Sequence, residues 1–94
     1  MPISNRTFET SLDLQKTREV VLQALATLGY KVVEDSQTKI VSKHSFGARY
    51  YPHDLEINLL SQPDKTMINA SIDHFGSKVY LDRLSKELGK KLVL

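Results

Sequence analysis

The residues of this chain with chemistry to offer concentrate in one segment, 43–53. It holds Lys43, His44, Phe46, Arg49, Tyr50, Tyr51 and His53. Tyrosine and arginine bury much area while keeping a polar end, which suits them to binding hot spots. Cations mixed with rings point to an anionic or aromatic ligand, or to a protein partner. Gly47 and Pro52 punctuate the segment as they do in loops. A loop whose aromatics close the open end of a core accounts for the same residues, and the pattern favours that plainer role. Any ligand or partner site of the chain is nevertheless expected here.

The remaining candidates are weaker. His74 completes the set of three histidines. No two of them have the i,i+4 helical spacing of a zinc-protease motif, and there is no cysteine, so no metal is expected. The best metal arrangement on offer is His53 and His74 on adjacent strands, joined by Asp54 or Asp73. Glu56 and Asp73 could form a carboxylate pair, but general acid–base work needs one pKa raised by burial, and an open sheet face does not supply it. Ser42, Ser45 and Ser71 lie in no nucleophile motif, and no glycine run cradles a phosphate. No catalytic residue and no cofactor is therefore expected. An enzyme built on this chain would have to rely on His53 and His74 beside their acidic neighbours.

The elements that must position these residues are legible from periodicity. Residues 54–75 form two alternating apolar–polar runs around Pro63-Asp64, the pattern of a β-hairpin with one dry face. Leu55, Ile57 and Leu59 share one side with Ile68, Ala70, Ile72 and His74. Asp54, Glu56, Asn58 and Leu60 share the other with Met67, Asn69, Ser71 and Asp73. Upstream, residues 7–12 alternate with Phe8, Thr10 and Leu12 on one side, while 1–6 are expected to fray. Asp13 is a good N-cap for a helix carrying Val21, Ala24, Leu25 and Leu28 on one face, and Gly29 stops it. Residues 30–34 and 39–46 read as two more strands about a turn at 35–38. Ile40 and Val41 are adjacent, so they must point opposite ways. Ser77 opens a second helix with Leu81, Leu84, Leu88 and Leu92 on one face. Asp82 with Lys86 and Glu87 with Lys91 are i,i+4 pairs. Gly89 weakens that pattern.

Composition sets the class. The chain has 94 residues, enough for one domain and one modest core. Its 13 basic and 11 acidic residues leave +2, too even a balance to imply a polyanion partner. No apolar run approaches the roughly 20 residues that span a bilayer, and the first residues lack the apolar core of a signal peptide. A cytoplasmic location is expected.

The order strand, helix, four strands, helix predicts an α+β fold. With both helices on the apolar face, it is a two-layer sandwich of about five antiparallel, curved strands. That order resembles the TATA-binding-protein-like architecture, and also the helix-grip domains in which a curved sheet wraps a C-terminal helix. In the first architecture the open sheet face lies on DNA. Here that face would show Glu9, Glu56 and Asp73, with Asp54 at its rim, and carboxylates oppose counterion release, so nucleic-acid binding through it is rejected. The basic second helix, with Lys78, Arg83, Lys86, Lys90 and Lys91 against Asp82 and Glu87, is a different candidate surface, although a solvated face explains it more simply. The helix-grip resemblance implies a carrier of a small apolar or anionic ligand between the C-terminal helix and the sheet. The expected role is a small non-enzymatic binding or interaction domain, with that carrier as the alternative. Its partner is a protein or a small ligand, and an exposed strand edge leaves the oligomeric state open.

Overall fold

The computed structural model describes residues 4–44, 53–73 and 77–91 of the chain. The elements run β1 (Ser4–Thr10), α1 (Leu14–Thr27), β2 (Lys31–Asp35), β3 (Lys39–His44), β4 (His53–Ser61), β5 (Thr66–Ile72) and α2 (Ser77–Lys91). All strand pairings are antiparallel, in the order β1-β5-β4-β3-β2. The hairpin β4–β5 sits inside the sheet, and α1 carries the chain from one edge to the other. Both helices pack on the apolar side, so the two-layer α+β sandwich is as the order of elements predicts.

Alternation in the central hairpin decides which way the sheet faces. Leu55 pairs with Ile72, Ile57 with Ala70 and Leu59 with Ile68, and all six are buried. Asp54, Asn58 and Leu60 lie exposed on the other face. In β3 it is Ile40 that turns inward, opposite Ile57, and Val41 that turns outward, opposite Glu56. The two-residue period then carries Ser42 and His44 inward as well. The buried Ser42 hydroxyl donates to the Leu55 carbonyl at 3.3 Å, which satisfies it inside the core.

β1 begins earlier than its alternation suggests. Ser4, Asn5 and Arg6, expected to fray, pair with Ile72, Ser71 and Ala70. A partner strand supplies their hydrogen bonds, which a local pattern does not reveal. α1 follows its signals closely. The Asp13 carboxylate accepts from the Lys16 amide at 2.8 Å, and Val21, Ala24 and Leu25 are fully buried. Thr17 is buried beside them, its hydroxyl donating to the Leu12 carbonyl at 3.4 Å.

α2 is held by its apolar stripe. Leu81, Leu84 and Leu88 are at most 2% exposed. Each is worth about 1.5–3 kcal/mol by burial, against about 0–1 kcal/mol for a surface ion pair. Glu87 pairs with Lys91 at 3.7 Å as its spacing predicts, and with Lys90 at 3.7 Å. Asp82 does not take up Lys86; it reaches across to Arg6 of β1 at 2.6 Å. The helix continues through Gly89 to Lys91, while Leu92, His74 and Phe75 lie outside the described residues.

The open face is less acidic than the hairpin pattern suggests. Lys39 and Lys43 of β3 stand on it beside Asn58 and Asp54. Lys39 meets Glu56 at 3.5 Å, and Lys65 meets Glu9 at 3.2 Å. The face carries both signs of charge, so it offers no positive field to a polyanion. No helix among the described residues is long and apolar enough to cross a membrane.

Candidate functional site

Among the described residues, four ring side chains, from the α1–β2 turn, β3, β4 and α2, converge at one end of the seam between α2 and the sheet. Tyr30 is placed by the end of α1. Gly29 adopts φ 86°, in the left-handed region open to glycine, and the Tyr30 amide then donates to the Leu25 carbonyl at 2.9 Å. This turn directs the chain into β2 and buries Tyr30 to 8% exposure. His44 closes β3 and His53 opens β4. They are register partners, and both continue the inward alternation of their strands. Tyr80 enters from the first turns of α2.

The geometry is that of a compact aromatic cluster. The two imidazoles stack with centroids 5.4 Å apart and planes 10° from parallel. Tyr30 stands edge-on to both, at 5.0 Å from His44 and 5.5 Å from His53. Tyr80 lies over His53 at 4.0 Å. Edge-to-face and offset arrangements are those the ring quadrupoles favour. The Tyr30 hydroxyl and His53 Nε2 are 2.7 Å apart and buried. With the His53 proton on Nδ1 the phenol donates; with it on Nε2 the phenol oxygen accepts.

Burial pushes the Tyr30 phenol well above its ordinary value, with Tyr80 adding to the rise and the nearby Arg83 guanidinium opposing it. Tyr30 is thus neutral at pH 7. A general base needs a pKa near the working pH, and this shift moves the phenol further from it. Leu28, Tyr30, His44, Tyr80 and Arg83 line a cavity of about 20 Å³ at this end of the seam. A space of that size holds roughly one water-sized group.

In the middle of the seam, Leu81, Leu84, Ile57 and Ile72 are each at most 2% exposed. On the open face, Val41, Asp54, Glu56, Ser71 and Asp73 line a shallow depression of about 360 Å³. Its carboxylates meet solvent rather than a dry pocket. Among the described residues no three histidine, aspartate or glutamate side chains are placed to hold a metal.

Of the segment 43–53, the fold brings His44 and His53 together and turns Lys43 to the opposite, exposed face. Phe46, Arg49, Tyr50 and Tyr51 lie outside the described residues. Tyr30, Tyr80 and Arg83 are the cluster members that sequence reasoning missed. Gly29 directly before Tyr30 was the available signal for the first. Nothing local marks Tyr80, because its partners are on distant strands.

No protein-family model matches the sequence. No curated protein matches it either. Solved structures do. A START superfamily protein from Mycobacterium smegmatis superposes with a TM-score of 0.68 at 11% identity, over 96% of each chain. The Aha1 dimer from Colwellia psychrerythraea gives 0.60 at 12%, over 92% of this chain and 87% of that one. The vertebrate conserved region of human METTL16 gives 0.55 at 11%, over 94% and 93%. At these identities the likeness is one of fold. The chain has a helix-grip-like fold rather than a specifically TATA-binding-protein-like one. The order of elements is common to both, and superposition over nearly the whole chain decides between them.

Proposed function

We propose that the chain is a non-enzymatic, single-domain binder of a small ligand, engaged at the Tyr30–His44–His53–Tyr80 end of the seam. The observation that carries this reading is the cluster itself. Burying polar rings costs desolvation that aliphatic side chains would not, yet Tyr30, His44 and His53 are buried here beside the half-buried Tyr80, and Tyr30, His44 and Tyr80 line a cavity together with Leu28 and Arg83. The START superfamily fold supports the same reading by analogy alone. Because the cavity is small, a ligand larger than one water-sized group lies across its mouth or displaces Tyr80, which is only half-buried.

The test is amide and ring chemical-shift mapping of the labelled chain against a library of small polar and aromatic compounds. Binders are expected to move Tyr30, His44, His53 and Tyr80 together. Shifts confined to Val41, Asp54, Glu56 and Ser71 on the open face would place the function elsewhere.

A further inference from the structure

We infer that the chain associates with a second copy of itself through β1, edge to edge and antiparallel about Thr7, so that two five-stranded sheets run on as one. β1 supplies none of Tyr30, His44, His53 and Tyr80, so this association does not depend on what the seam binds. An edge strand offers a row of amides and carbonyls that another strand can complete. The sheet has two edges, β1 and β2, and they are not equivalent. β2 has five residues, a register shift between Val32 and Glu34, and charged side chains at Lys31, Glu34 and Asp35. Bulges and charges of that kind keep an edge from pairing. β1 has seven residues and one unbroken register with β5, and among the described residues it pairs with β5 alone. No proline or lysine interrupts it.

Side chains select the partner and the register. Asn5, Thr7 and Glu9 stand exposed on the open face, and Arg6, Phe8 and Thr10 stand on the helix face. Opposed residues of antiparallel strands share a face. A second copy with its helices on the same side must therefore align odd positions with odd and even with even. A dyad at Arg6 would oppose two guanidinium groups, and one at Glu9 two carboxylates. A dyad at Asn5 or Phe8 shortens the pairing to residues 4–6 or 6–10. A dyad at Thr7 uses the whole strand and opposes no like charges, because Asn5 meets Glu9 and Arg6 meets Phe8. The helices fit the same geometry. α2 packs on β5 and β1, so its axis lies about half a strand spacing inside β1. Across the dyad the two α2 helices are then about two strand spacings apart, roughly 10 Å, which is a packing distance for helices. Asp82, directed to β1 by Arg6, marks the side of α2 nearest the dyad, and Ser85, one turn on, adds little bulk there. The strands supply about six to eight backbone hydrogen bonds over a small area, so the expected dimer is weak, with a Kd of the order of 10 μM.

The test is sedimentation equilibrium of the whole chain from about 1 μM to about 1 mM. The mass is expected to rise from that of one chain to that of two. Thr7→Lys, at an exposed position, places two ammonium groups on the dyad and is expected to weaken association about tenfold. Asn5→Lys sets each new lysine opposite Glu9 of the other copy and is expected to tighten it about threefold. The chain has no cysteine of its own, so Thr7→Cys reports the geometry. Mild oxidation is expected to link two copies through it, and not through Val33→Cys on the β2 edge, where the side chain is also exposed. A chain that keeps the mass of one copy to about 1 mM, association equally strong in Thr7→Lys, or linkage through Val33→Cys as readily as through Thr7→Cys overturns the inference. Should Thr7→Lys alter the circular dichroism of the single chain, Asn5→Lys decides, and association no tighter than in the parent overturns the register.

Discussion

Replacing Tyr30 by phenylalanine removes one oxygen atom and little else. The ring keeps its edge-on packing against His44 and His53. What disappears is the 2.7 Å hydrogen bond to His53 Nε2. Tyr30 is 8% exposed and His53 7%, so bulk water does not readily replace the lost partner. Removing one side of a buried hydrogen bond costs about 1–3 kcal/mol, more than the net value of an average bond. For a domain whose whole stability is of the order of 5–15 kcal/mol, that is a large fraction. In urea unfolding followed by circular dichroism, with a slope of about 1–2 kcal/mol per molar, a loss of about 2 kcal/mol lowers the midpoint by roughly 1–2 M. The slope itself should not change, because no surface is newly exposed. A double-mutant cycle with His53→Phe isolates the bond: Tyr30→Phe is expected to cost about 1 kcal/mol less in that background. Strict additivity, or a Tyr30→Phe cost below about 0.5 kcal/mol, would refute the claim that this bond holds the end of the seam together.

Two further outcomes follow from the same structure. Gly89 lies inside α2, and a methyl group added there meets nothing within 4 Å; Gly89→Ala is expected to stabilise the chain by about 0.5–1 kcal/mol, read as a rise of about 4–8 °C in Tm per kcal/mol. The Tyr30 phenol is raised above its ordinary value of 10.0 by burial first, then by Tyr80. Above that pH the unfolded chain gives up this proton while the folded chain keeps it, so the stability present below pH 10 is lost as pH rises, by at most about 1.4 kcal/mol per pH unit. Urea midpoints measured from pH 9 upward should fall less steeply for Tyr30→Phe than for the parent; identical slopes would contradict the assignment.

The helix α1 and the hairpin β4–β5 were open to reading because each carries its whole signal locally. Asp13 and Gly29 mark the ends of α1, and Val21, Ala24 and Leu25 mark its buried face. In the hairpin the period of two between Leu55 and Leu59, answered by Ile68 to Ile72, assigns the dry side without reference to anything else. The extent of β1 was not legible, since Ser4 to Arg6 become a strand only by pairing with β5. Asp82 was misassigned for a similar reason: Lys86 is its neighbour along the helix, but Arg6 is its neighbour in space. The open face looked acidic because only the hairpin could be oriented. Once β3 is set by Ile40, Lys39 and Lys43 fall on that face too.

The candidate site divides along the same line. That the segment 43–53 concentrates histidine and aromatic chemistry is a property of the sequence, and so is the class of fold, because periodicity and capping act over a few residues at a time. That His44 and His53 stack, that Tyr30 bonds His53, and that Tyr80 and Arg83 arrive from α2 to enclose a cavity depends on strand register and on how α2 crosses the sheet. The last two relations join residues more than twenty positions apart, and His44 and His53 meet only through the β3–β4 register. Only the packing of the two layers brings such residues within reach of one another, and no local pattern in the chain records it.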